Sequence, residues 1–409
     1  MSENRKVPKL RFPGFDKEWS ESTLGDQTSW KSGGTPSKDV GEYWNGDIPW
    51  ISASSMRGTK FSSSELMVTE SGSKNGTRIA PKGSLLLLVR GSMLFNKIPV
   101  GIAERNVTFN QDVKAITPDG STTSDFLLQW FLKSERNILG IVGGTGIGAG
   151  KLDTKELQSL TYSFPSLPEQ QKIAEFLTAV DRRIELLQAK KEKLEAYKKA
   201  VMQKIFSQKL RFKADDGSDF PEWEESKLGE ISSNIGYGLN SSATNYDGKH
   251  KYIRITDIDE ETNKFVPSPL TSPDQIPNPS YQVSEGDILF ARTGASVGKS
   301  YIYRKGDGEL YFAGFLIRFS IRNANPYFVF LQTKRSEYQK WVKIMSMRSG
   351  QPGINAEEYK SFEFKLPSLP EQQKIVTFLT SVDRSIENLI QQITHTQTWK
   401  KGLLQKMFV

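Results

Sequence analysis

Cysteine is absent from all 409 residues. That excludes disulfides, thiolate nucleophiles and Cys-ligated metals together, and it suits a reducing compartment. Histidine is almost as scarce. His250 and His395 are the only two, so His-rich metal sites and Ser–His catalysis have almost no material. No apolar run approaches the length of a membrane span; the longest, "SLLLLV" at Ser84–Val89, is strand-sized. The N-terminal "MSENRKVPKL" has no apolar segment after its charges, so no secretory signal is expected and the expected location is cytoplasmic, with no membrane partner. Lys and Arg outnumber Asp and Glu by 55 to 47, for a pI near 9.2. The excess is compatible with a polyanionic partner but too modest to identify one.

What is present is a chain written twice. "PSLPEQQKI" occurs at Pro165–Ile173 and again at Pro367–Ile375, 202 positions later. "FLTAVDRRIELL" (Phe176–Leu187) answers "FLTSVDRSIENL" (Phe378–Leu389), and "KKAVMQKIF" (Lys198–Phe206) answers "KKGLLQKMF" (Lys400–Phe408) at the same offset. Upstream, "LRFPGFDKEWSESTLGD" near Leu10 answers "LRFKADDGSDFPEWEESKLGE" near Leu210. The unit is about 200 residues, a variable block followed by a helix, and two units are too few and too long for a solenoid. The expected division is 1–165 and 209–366 for the blocks, 166–208 and 367–409 for the helices.

The helices announce themselves. Ser166 and Glu169, like Ser368 and Glu371, have capping-box spacing with proline in the first turn. Apolar residues then follow a four–three rhythm: Ile173, Leu177, Val180, Ile184, Leu187, Leu194 and Val201 in the first copy, and Ile375, Leu379, Val382, Ile386, Leu389, Ile393 and Leu403 in the second. This is a heptad seam over about five heptads, interrupted by Lys191 and Lys198 in one copy and by Thr396 and Lys400 in the other. Two amphipathic helices packed only on their own blocks would be the alternative, but globular helices seldom run near ~40 residues with so strict a stripe.

The blocks mix short β-like runs ("DIPWIS", "SLLLLVR", "DVKAIT"; "KYIRIT", "DILFAR", "FLIRFS") with occasional helical patches such as "SDFLLQWFLKSE". They read as α+β domains with many loops. The blocks share a skeleton, Trp50-Ile51 against Tyr252-Ile253 and Arg90 against Arg292, but diverge elsewhere. Two glycine-rich stretches imitate nucleotide loops. "GASVGKS" (Gly294–Ser300) has three residues between its glycines where a phosphate loop needs four, and a strand-like run follows it. "GGTGIGAG" (Gly143–Gly150) lacks a strand–helix frame and reads as a surface loop. No catalytic constellation stands out.

Basic residues are more informative. Ala189–Lys213 holds nine Lys or Arg against two Glu. In the blocks, cations sit beside small polar residues in "WKSGGTPSK", "SASSMRGTK", "VRGSMLFNK", "ARTGASVGK" and "MSMRSGQPG". Arg, Lys, Asn, Ser and Thr are the side chains that grip phosphates and read base edges.

Taken with "SGGTPSKDVGEYWNGDIPWIS", "GDILFARTGASVGK" and "PSLPEQQKIAEFLTAVDRRIELL", the pattern resembles the specificity subunits of type I restriction–modification systems, over the whole length. The resemblance implies two tandem α+β target recognition domains joined by two long helices in an antiparallel coiled coil, with pseudo-twofold symmetry. It implies a non-catalytic subunit that binds double-stranded DNA and docks two adenine methyltransferase subunits and, in the full complex, restriction/translocase subunits. S-adenosylmethionine, ATP and magnesium would belong to those partners, and no cofactor to this chain. The loops that face DNA in the family would fall at Lys31, Ser32, Thr35 and Lys38; Ser54 and Arg57; Arg90, Asn96 and Lys97; Arg254, Thr256 and Asp257; and Arg292, Thr293, Ser296 and Lys299, with Arg348 added from the last basic loop. The repeated helix then reads as a repeated docking surface, and the unlike blocks as readers of unlike half-sites. A coiled-coil scaffold that binds proteins but not DNA is the rival from another class.

Overall fold

Both copies of the repeated phrase open a helix. The computed structural model describes residues 6–146, 148–347 and 350–409, and its two longest elements are the helices Leu167–Phe206 and Leu369–Met407. Pro168 and Pro370 sit in the first turn, where a missing N–H leaves no helical bond unmade. The chain forms two compact units, residues 1–190 with 389–409 and residues 191–388. Each unit contains one block, the first half of the helix that follows it and the second half of the other long helix. The two helices therefore run antiparallel.

In the first block the strands Thr28–Ser32, Val113–Pro118, Leu85–Leu88, Val100–Ala103 and Lys60–Phe61 lie in that spatial order. Leu85, Leu86, Leu87 and Leu88 are all fully buried. An uninterrupted apolar run is what a strand covered on both faces requires. A second sheet orders Met67–Val68, Trp44–Ile51, Val107–Phe109 and Ile79–Ala80. In the second block Ser232–Tyr237, Leu316–Ile321, Asp287–Ala291 and Ser300–Ile302 form the main sheet. Each block is closed by pairing its first strand with its last, Ser20–Thr23 with Thr161–Phe164 and Glu224–Lys227 with Glu363–Leu366. Each chain segment thus enters and leaves its block at one place, beside the start of a long helix.

That junction is where the repeated phrase acts. In the first unit Glu169 is buried and receives Nε and Nη2 of Arg11 at 2.7 and 2.8 Å. In the second, the equally buried Glu371 receives Nε and Nη2 of Arg211 at 3.2 and 2.9 Å and Trp223 Nε1 at 3.1 Å. The adjacent glutamines clamp the other side. Gln170 Nε2 donates to the carbonyls of Pro165 and Ser121, and its Oε1 accepts from the Thr123 amide. Gln372 Nε2 donates to the Pro367 carbonyl and its Oε1 accepts from the Asn325 amide at 2.7 Å. Thr123 and Asn325 are the N-caps of the helices Ser124–Leu139 and Pro326–Gln332. Glu and Gln therefore pin the block to the root of its helix.

This corrects the capping-box reading. Glu169 and Glu371 are drawn to an arginine instead of back to the serine, because a two-point bond to a charged guanidinium outweighs a single bond from a backbone N–H. Among the described residues Ser368 Oγ is left buried without a partner. The first turn of the Leu167–Phe206 helix closes through the Ser166 carbonyl, which accepts from the amides of Glu169 and Gln170 at 3.0 Å each.

Below the junction the seam residues are shared between helix packing and block core. Ile173, Leu177, Val180 and Ile184 join one core with Leu403, Met407 and Phe408 and with the block residues Phe126 and Phe131. In the second unit Ile375 and Leu379 pack with Val201, Ile205, Phe206, Trp223 and Phe328. Aromatic triads fill equivalent places. Phe126 stacks on Phe408 at 5.1 Å with Trp19 edge-on at 6.0 Å, and Phe328 meets Phe206 at 5.5 Å with Trp223 edge-on at 6.3 Å. Val382, Ile386, Leu389 and Ile393 are buried, while Leu187 and Leu194 are half-buried. Two lysines that interrupt the seam have a use: Lys400 reaches Asp181 at 2.6 Å in the first unit, and Lys198 reaches Asp383 at 2.5 Å in the second. The second pair is the first with both residues exchanged across the 202-residue offset, so the break in the apolar stripe marks an interhelical ion pair.

Candidate nucleic-acid interface

In the first block the loop after Thr28–Ser32 is built on Gly33 and Gly34. A Cβ at Gly33 would lie 2.0 Å from the Phe109 carbonyl oxygen, and one at Gly34 would lie 2.2 Å from that of Gly76, so only glycine lets the backbone pass. Trp50 Nε1 holds the Gly34 carbonyl and Trp44 Nε1 the Ser37 carbonyl, both at 3.0 Å. The tryptophans brace the loop from behind and leave Lys31, Ser32 and Lys38 exposed, with Thr35 bonded to Gln111 at 2.9 Å. Gln111 is followed by Asp112, whose carbonyl receives the Val89 amide, one residue before Arg90. The strand Arg90–Gly91 pairs in turn with Gly150–Lys151. Gly91 also lies beside Ala53 of the Ser52–Arg57 turn, a Cβ there being 3.9 Å from Ala53 Cβ. Four loops thus converge. Lys31, Lys38, Ser54, Arg57, Arg90, Asn96, Lys97 and Lys151 are exposed, and none of the six cations has an ion-pair partner among the described residues. Elsewhere in this unit Arg11, Lys60, Lys74 and Lys400 are all paired.

The glycine-rich stretch Gly143–Gly150 was read from the sequence as a surface loop, and Lys151 after it was not singled out. The structure pairs Gly150 and Lys151 with Gly91 and Arg90. The available signal was the 202-residue offset, which matches Leu152 and Asp153 to Ile354 and Asn355, directly after the basic "MSMRSGQPG" loop.

In the second block Tyr252 does what Trp50 does: its hydroxyl donates to the carbonyls of Leu239 at 2.7 Å and Ser241 at 3.1 Å. The predicted polar residues behave differently from one another. Asp257 is buried, and its carboxylate takes Nε and Nη2 of Arg254 at 2.9 and 2.8 Å. It shapes the Ile255–Asp257 turn instead of facing outward. Only Thr256 of that turn is exposed. Lys299 points inward, giving its ammonium to the Ile258 carbonyl at 3.1 Å and to Glu260 at 3.4 Å, with its side chain 12% exposed. The strand Ser300–Ile302 follows it directly, so no helix N-terminus is available for a phosphate. Arg292, Thr293 and Ser296 are half-buried. Arg292 lies over the Tyr237 ring at 4.9 Å. Arg348 lies outside the described residues.

Two matches to a family model, the type I restriction modification DNA specificity domain, cover residues 16–196 and 221–395. This chain belongs to that family. The Escherichia coli type I restriction enzyme EcoR124I/EcoR124II specificity subunit is 35% identical over 174 residues, which is 42% of this chain and 43% of that protein. The Methanocaldococcus jannaschii MjaIX specificity subunit is 31% identical over 228 residues, 53% of this chain and 52% of the relative. The chain therefore spans about half the length or less of these two relatives. The MjaVIII specificity subunit of the same organism matches over 401 residues at 24% identity, 92% of this chain and 88% of the relative. Among solved structures, the crystal structure of a type I restriction–modification system S subunit from M. genitalium superposes with a TM-score of 0.61 at 18% identity, covering 98% of this chain and 99% of that one. That likeness shows the fold: two tandem specificity domains with long helices. No helix of the chain, among the described residues, is long and apolar enough to cross a membrane.

Proposed function

We propose that this chain is the DNA-reading, non-catalytic subunit of a type I restriction–modification assembly. The observation that carries the reading is the set of six exposed cations, none with an ion-pair partner among the described residues, on the converging loops of the first block. In this reading residues 1–165 and 209–366 are target recognition domains, and residues 166–208 and 367–409 are the helices that space them. The blocks place their equivalent arginines differently, Arg90 exposed beside Lys151 and Arg292 stacked on Tyr237. That supports unlike half-sites and hence a split, non-palindromic target, with half-sites about ten base pairs apart centre to centre and a gap touched only through phosphates. Two methyltransferase subunits would dock on equivalent surfaces of the repeated helices, as closed symmetry favours, and restriction/translocase subunits would join them. Those partners would bring S-adenosylmethionine, ATP and magnesium.

The test is a gel shift of the chain with its methyltransferase partner on duplex DNA at two salt concentrations. Six phosphate contacts predict a loss of roughly a thousandfold in affinity between about 50 and about 200 mM salt. Salt-independent or absent binding would leave a protein-binding scaffold as the better account.

A further inference from the structure

Among the predicted DNA-facing cations of the second block, Arg254 is held by Asp257 and Lys299 by Ile258 and Glu260. Arg292 is different. Among the described residues its guanidinium makes no hydrogen bond or ion pair, and its Nε is buried without a partner. A buried donor left unsatisfied costs about 1–3 kcal/mol. Among the described residues the guanidinium has no structural hydrogen-bond partner, and its remaining donors, at the edge of a cavity, are open to an acceptor from outside the chain. The side chain is nevertheless fixed. It lies over the Tyr237 ring at 4.9 Å, and the Tyr237 hydroxyl is itself held by the Ala356 amide at 3.2 Å. Its backbone is held too, the amide by Phe315 and the carbonyl by Ile354.

Arg292 borders a cavity of about 260 Å³ whose other lining residues are Thr293, Gln351, Pro352, Gly353, Ile354 and Asn355. None of these carries a charge. A phosphate pocket would gather several cations; among the described residues one planar, pre-stacked fork faces neutral hydroxyl and amide groups. Stacking and a fixed plane are what make an arginine selective for two parallel acceptors. On a duplex, the base edge that offers two acceptors side by side is guanine, through O6 and N7 in the major groove.

We infer that Arg292 is the base-reading residue of the second block and that it reads a guanine, with Tyr237 as the positioning residue that holds its plane. This rests on the DNA-reading function proposed above. Arg90 is exposed on a two-residue strand opposite Lys151, an arrangement suited to phosphate or to mixed contacts.

The experiment is a binding selection by the full chain with its methyltransferase partner, from a pool of duplexes randomised over both half-sites and read by sequencing. Wild-type protein should require a G·C pair at one position of one half-site. Arg292→Ala should relax that position alone, by roughly 5- to 150-fold. Arg292→Lys should retain part of the preference, and Arg292→Gln should shift it toward adenine. Tyr237→Leu should weaken the preference while the other half-site is read as before, and a thermal melt of each variant shows that the second block is folded. The inference is overturned if Arg292→Ala weakens all sequences equally and lowers the salt slope, which marks a phosphate contact, or if the selected motif does not change. Both results leave the DNA-reading function standing. A wild-type complex that selects no sequence at all sinks that function, and this inference with it.

Discussion

Replacing Arg211 by methionine strands a carboxylate. Glu371 is fully buried, and two of its three donors belong to Arg211. After the change only the indole N–H of Trp223 remains, at 3.1 Å. An uncompensated buried charge costs about 3–5 kcal/mol, at least about a fifth of the ~5–15 kcal/mol that holds an ordinary domain together. The reciprocal change should be milder. Glu371→Gln keeps an acceptor for Trp223, and the released Arg211, whose side chain is already 21% exposed, retains Glu222 at 3.3 Å and the carbonyls of Phe220 and Pro221 at 3.1 and 2.6 Å. A loss of about 1–2 kcal/mol is expected there. Replacing both, Arg211→Met with Glu371→Leu, removes the charge together with its partner and should cost less than Arg211→Met alone. Urea unfolding followed by tryptophan fluorescence measures all three, and amide exchange over the first turns of the Leu369–Met407 helix localises the damage. If Glu371→Gln costs as much as Arg211→Met, or if Arg211→Met costs under about 1 kcal/mol, the buried bracket is not what fastens the block to its helix.

Lys334 is half-buried over the Phe330 ring at 4.3 Å, and burial, with Lys198 and Arg304 nearby, lowers its pKa to about 7. A depressed lysine means the unfolded chain holds the extra proton above neutrality, so stability should rise by about 1 kcal/mol from pH ~7 to ~8, and Lys334→Leu, which copies Leu132 at the matching position of the first block, should abolish that rise in a urea titration at the two pH values. For the helix pair, Asp181→Lys should destabilise the chain by about 1–3 kcal/mol and Lys400→Glu in the same chain should restore much of it; a double-mutant cycle with no coupling would show that the 2.6 Å ion pair contributes nothing.

The architecture was legible because the sequence states it twice. The helices expected within 166–208 and 367–409 run from Leu167 to Phe206 and from Leu369 to Met407, and all residues of the four–three rhythm except Leu187 and Leu194 are buried along them. Periodicity reports which face is covered, however, and not by what. Ile173 and Ile375 are buried as much by block aromatics as by the opposite helix, and nothing in a heptad distinguishes those neighbours. The loops were legible as a class, through glycine and small polar residues beside cations, but not one residue at a time. Arg254 and Arg292 look alike in the sequence. One is held by an aspartate three positions on, and the other has, among the described residues, only a tyrosine far upstream and neutral residues far downstream as neighbours. Only tertiary structure separates a structural arginine from one left open to a ligand.

The same distinction changes what the repeated phrase means. A surface reserved for a partner would keep its charged and amide side chains in solvent, yet Glu169, Gln170, Glu371 and Gln372 are all buried and bonded within their own units. The glutamate of the phrase and the glutamine directly after it therefore answer to the chain itself in both copies. Each closes a strand pair, an N-cap and a helix start into one joint, with an arginine from the segment before the block as the bolt. Blocks can then diverge in their loops, as Trp50 and Tyr252 show by holding equivalent loop carbonyls with different donors, provided that joint is kept. Any docking surface for a methyltransferase has to be sought on the outward positions that the phrase shares, such as Leu167 and Leu369, which are exposed in both copies. A repeated sequence that is buried specifies how a block is mounted, and only its exposed remainder is free to specify what binds.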